Sequence, residues 1–132
     1  MSTHPAPSRR SGTRWSATVE FALIVILLFT VVFGSFEIDR LFLVYTTVAN
    51  AARGAARYAI VHSGGGGVEG RAKDLARGIM LDVTKLNVTV TYPTGNNVGS
   101  RVVVQVSYPY DSWLIPQLTP TLSSTSEGVI VF

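Results

Sequence analysis

From residue 17 to residue 36 almost every position is apolar. The run FALIVILLFTVVFGSF covers 21–36 without a charge, and Glu20 alone interrupts the approach through 17–19. An α-helix rises about 1.5 Å per residue and needs roughly 17–25 residues to cross about 30 Å of hydrocarbon, so the stretch is long enough to span a membrane. Thr30 and Ser35 can return their hydroxyls to helix carbonyls and do not block insertion. Beyond residue 36 the pattern narrows to a stripe: Leu41, Tyr45, Val48, Ala52, Ala55 and Ala59 recur at steps of four and three. Asp39, Thr46, Asn50, Arg53 and Arg57 form a polar stripe of the same period. No proline falls between Pro7 and Pro93, and Gly34 and Gly54 are single, tolerated weak points. The spacing predicts one helix from about residue 15 to about residue 62, roughly 70 Å long. Glu37 and Arg40, three apart, are expected to pair across one turn.

Ser63 and the four glycines after it end that helix. Residues 68–82 resume a helical pattern, with Ala72, Leu75 and Ile79 on one side and Arg71, Lys73, Asp74 and Arg77 on the other. The period then drops to two. Leu86, Val88, Val90 and Tyr92 alternate with polar residues, as do Val102, Val104, Val106 and Tyr108, with turn chemistry from Pro93 to Ser100 between them. This is a β-hairpin with one apolar face. Residues 111–120 read as a proline-interrupted loop in which Trp113, beside Leu114 and Ile115, is expected as a core plug ahead of a ligand platform, and 128–132 (GVIVF) reads as a short last strand. The sheet needs a cover, and the outer helix offers Leu41, Val44, Tyr45, Val48, Ala52 and Ala55. The fold class is α+β: a long N-terminal helix, transmembrane in its first half, a short second helix, and a small antiparallel sheet of about three strands. The expected divisions are a basic leader (1–15), a membrane helix (16–37), its amphipathic continuation (38–62), a glycine linker (63–67) and an exported α+β domain (68–132).

Composition sharpens this. Only 14% of the 132 residues are charged, against about 25% in a typical soluble domain. With no cysteine, disulfides, thiolate metal sites and cysteine nucleophiles are excluded. The net charge of +3 resides before residue 63: Arg9, Arg10 and Arg14 precede the apolar run with no acid among them, whereas 63–132 is neutral. That distribution gives no basis for nucleic-acid binding. It sets the orientation instead, with the N-terminus cytoplasmic and the chain after about residue 37 exported. His4 and His62 are far apart and the carboxylates do not cluster, so no metal, cofactor or enzymatic activity is expected. A cleaved signal peptide competes poorly, because the helical pattern continues straight through Gly34 and Ser35.

Three stretches taken together, VEFAL at 19–23, FGSFEIDRLF at 33–42 and NAARGAARYA at 50–59, resemble the TadE-like family, minor pseudopilins of the tight-adherence (Flp) pilus. A helical spine bearing a small sheet is likewise a pilin layout. The resemblance implies a single-pass protein of the inner (cytoplasmic) membrane that helps to assemble an adhesive surface pilus. Its partners would be the bilayer, other pilin or pseudopilin subunits and the assembly machinery. It also implies a prepilin peptidase, which would cut between Trp15 and Ser16 and leave Glu20 fifth in the mature chain; Trp15 stands where such enzymes take a small residue. If the chain is cut, Glu20 can neutralise a neighbour's new ammonium; if it is not, Glu20 meets a basic group on a partner helix or lies at headgroup depth. The resemblance places Glu37, Arg40, Asn50, Ala52, Arg53, Ala55, Arg57 and Tyr58 among the assembly residues. The alanines would admit a partner helix closely, while Arg53 and Arg57 either form a solvated stripe or reach acidic groups such as Asp111. The competing reading is a single-pass envelope protein whose exported domain binds a ligand or tethers a partner complex.

Overall fold

The computed structural model describes residues 1, 12–62, 66–77 and 81–131. Helix α1 spans Gly12–Val61. It is followed by α2 (Val68–Ala76), a 3-10 turn (Val83–Lys85), and strands β1 (Asn87–Thr91), β2 (Arg101–Pro109) and β3 (Thr121–Val129). The chain divides into two compact units, Met1–Phe36 and Glu37–Phe132. The leader arginines Arg9 and Arg10, His4, residues 63–65 of the linker and Ile79 lie outside the described residues.

In the first unit the helix buries nothing from 15 to 36, as an element that is greasy on every side requires a non-aqueous surround. Its hydroxyls are satisfied locally: Thr30 donates to the Ile26 carbonyl at 2.8 Å and Ser35 to that of Val31 at 2.9 Å. This helix is long and apolar enough to cross a membrane.

The second unit is built on an antiparallel sheet in the order β1-β2-β3. Val88 lies opposite Val106 and Val90 opposite Val104, so the apolar faces expected from the alternation coincide. Val102, Val104, Val106 and Tyr108 are buried against Val44, Val48, Ala51, Ala52, Ala55, Ala56 and Ala59 of α1. The outer helix therefore covers its own sheet. Tyr45 departs from the expected stripe: it is exposed, and the inward face runs instead through Val44, Val48, Ala51 and Ala55.

Three other expectations are corrected. The second helix ends at Ala76, where Arg77 turns extended, rather than continuing to 82, and it buries Val68, Ala72 and Ala76. Asp82 instead accepts the Thr84 amide and caps the 3-10 turn. The last strand occupies Thr121–Val129, not 128–132. Its TLSSTSEGV sequence lacks an apolar alternation because its inner face, after Leu122, is made of small groups. Ser124 and Ser126 pair with Val106 and Val104, and a Cβ on Gly128 would meet Ile60 Cδ1 at 2.3 Å. Small residues there let α1 approach the sheet. Gly54 has a partly similar use: a Cβ at that position would lie 2.2 Å from Leu75 Cδ1, the movable end of an exposed side chain, so the weak point in α1 is also a close seat for α2.

Candidate functional site

The polar residues of α1 fall into three separate environments. In the first unit Trp15, Ser16 and Glu20 share one exposed face with Val19 and Leu23. Glu20 makes no ion pair among the described residues. Its carboxylate is thus presented outward from the apolar helix.

The second environment centres on Glu37, the first residue after the uncharged run. Tyr110 donates its phenol to Glu37 Oε1 at 2.9 Å, and the Trp113 amide donates to the same oxygen at 3.2 Å. The Ser112 hydroxyl also bonds to this carboxylate. Arg40 does not form the expected direct ion pair with Glu37; its guanidinium lies over the Tyr110 ring, 5.5 Å from the centroid, within cation–π range. Glu37 and Arg40, one turn apart, thus grip one aromatic side chain from two sides. Tyr110 is only 3% exposed. Burial first, then the bond to Glu37 and its charge, raises the phenol above its ordinary value. A small cavity beside this cluster is lined by Ile38, Leu41, Leu118 and Pro120.

The cluster fixes the base of the 111–120 loop. Tyr110 N–H donates to the Pro120 carbonyl at 2.9 Å and closes the loop, and Leu118 N–H donates to Ile115 O at 2.8 Å within it. Trp113, expected as a core plug, is 73% exposed, and the carboxylate holds its backbone amide. Sequence reasoning missed Tyr110 and Ser112 altogether. No local signal in the sequence links Glu37 to donors 73 and 76 positions away.

The third environment is at the outer end of α1. Arg53 donates to Asn50 Oδ1 at 3.4 Å and stays exposed. Arg57, Tyr58 and His62 line an open groove with Arg71 and Leu75 of α2. Tyr58 stacks on His62 with centroids 4.1 Å apart, and Gly67 (φ 126°) turns the chain against the Tyr58 hydroxyl. Neither arginine reaches Asp111, whose partner is Lys85 at 2.6 Å; Asp111 raises the Lys85 pKa through that hydrogen bond and through its charge. Ala52 and Ala55 are completely buried. Their small size is used inside the chain, against its own sheet.

Residues 16–57 match the family model described as TadE-like protein. That segment is TadE-like. The match takes in Glu20, Glu37, Arg40, Asn50, Arg53 and Arg57, and it stops before α2 and the sheet. Searches of curated proteins and of solved structures returned no match. The TadE-like segment, with a helix able to cross a membrane, supports a membrane protein associated with the Tad pilus.

Proposed function

We propose that this chain is a minor pseudopilin-like, non-enzymatic, single-pass protein that takes part in assembling an adhesive Flp/Tad-type pilus through packing of α1 against other pilin-like helices. Its N-terminus is cytoplasmic and its sheet domain exported from the inner membrane. The observation that carries this reading is the TadE-like match over a helix whose apolar side chains face outward. Beyond the uncharged run, Ile38, Phe42, Leu43 and Tyr45 remain exposed on α1. Exposed large apolar groups in a row mark a contact surface, and the buried alanines leave this face, not theirs, for a neighbour. Glu20, held outward near the start of the span, supplies the polar contact that sets axial register with a neighbouring subunit.

The test is a piliation assay with F42N, an exposed position whose change spares the core. Loss of pili, with the protein still present in membranes and folded, is the expected outcome; normal piliation refutes helix packing through this face. N-terminal sequencing of the membrane-extracted chain reads the processing step. A start at Ser16 identifies it as a prepilin-peptidase substrate, and a start at Met1 or Ser2 identifies a permanent anchor.

A further inference from the structure

The loop 111–120 places its largest apolar side chains on the outside. Trp113, Leu114, Ile115 and Leu118 are all exposed, and 112–120 contains no charged residue. The loop is not loosely draped. Two of its groups, the Ser112 hydroxyl and the Trp113 amide, end on Glu37 together with the Tyr110 hydroxyl at its neck. Ile115 N–H donates to Ser112 Oγ at 3.1 Å, and the Tyr110–Pro120 bond closes its neck. Pro116 and Pro120 restrict it further. An apolar tip held out in this way needs no ordering when it meets an apolar phase.

Glu37 also dates the loop's position against the membrane. The uncharged run ends at Phe36, so the edge of the hydrocarbon falls at about the residue to which the loop is tied. Tryptophan favours this boundary, where its ring is apolar and its N–H can meet headgroups. Arg40, exposed and without an ion pair among the described residues, stands on the same cluster. A guanidinium at that level suits lipid phosphate.

We propose that the 111–120 loop is a second membrane contact, in which Trp113, Leu114 and Ile115 enter the headgroup–acyl boundary of the bilayer that α1 crosses while Arg40 faces the lipid phosphates. This rests on the reading of 21–36 as a membrane span.

The experiment uses the full chain in phosphatidylcholine–phosphatidylglycerol vesicles, with lipids brominated near the top of the acyl chain as quenchers. The chain has two tryptophans, so W15F leaves Trp113 as the sole reporter and W113F leaves Trp15. Expected is a loss of Trp113 emission with shallow bromines, a smaller loss with deep bromines, and a blue shift against the same protein with its loop emission measured in R40E, where the contact weakens. Quenching of Trp15 without quenching of Trp113 overturns the proposal while leaving the span intact, and is the result expected if the loop instead docks on a protein. Quenching of neither overturns the span and the loop contact together.

Discussion

Glu37→Ala is the most informative single change in the second unit, Glu37–Phe132. It removes the acceptor for Tyr110, Ser112 and the Trp113 amide at once. A hydrogen bond to a charged group contributes about 1.5–3 kcal/mol, and a buried donor left unpaired costs about 1–3 kcal/mol. Tyr110 is buried and its phenol is orphaned; Ser112 is buried too but still accepts from the Ile115 amide, and the Trp113 amide belongs to an exposed residue and can be resolvated. The net loss is therefore set mainly by the phenol, about 2 kcal/mol. With a urea slope of about 1–3 kcal/mol/M, the unfolding midpoint should fall by about 1 M. The assay is urea unfolding in detergent micelles, followed by near-ultraviolet circular dichroism of the aromatic groups in the sheet domain. Tyr110→Phe and the double variant complete a cycle in which contacting residues should couple by about 0.5–3 kcal/mol. A Glu37→Ala midpoint equal to that of the unchanged protein, or strictly additive variants, would refute the claim that this carboxylate holds the loop.

The remaining predictions concern packing and titration. Ala52→Leu forces a larger side chain beneath the sheet and should destabilise by about 1–3 kcal/mol or more; its loss of piliation would coincide with loss of the folded sheet domain, as limited proteolysis would reveal. Gly128→Ala meets Ile60 at both Cδ1 and Cγ1, so it should destabilise by about 1–3 kcal/mol. Gly54→Ala meets mainly the movable tip of Leu75 and gains about 0.5–1 kcal/mol of helix preference, leaving its thermal midpoint the higher of the two. Tyr110 and Lys85 both have pKa values raised above their ordinary 10.0 and 10.5. The folded state holds each proton more tightly than the unfolded state, so their stabilisation is complete below those values and is lost as pH rises through the folded ones. Urea midpoints should fall on the alkaline side, less steeply in Y110F; an unchanged slope in that variant would contradict the assignment.

Much of the architecture was legible without coordinates. The uncharged run, the long helix and the β1–β2 hairpin were readable because each is written in a period of its own neighbours: continuous apolar, 3.6 and two. The charge asymmetry about residue 20 is similarly local, and so is the TadE-like signature in 16–57. Tertiary structure decided which alanines became core, that the polar Thr121–Val129 segment became a strand, and that Gly54 and Gly128 became seats for Leu75 and Ile60. It also decided that Glu37 would be satisfied by residues more than seventy positions away rather than by Arg40. Such choices depend on distances between elements remote in sequence. A small polar residue carries no periodic mark of the helix that will press on it, and a carboxylate carries none of the donor that will reach it.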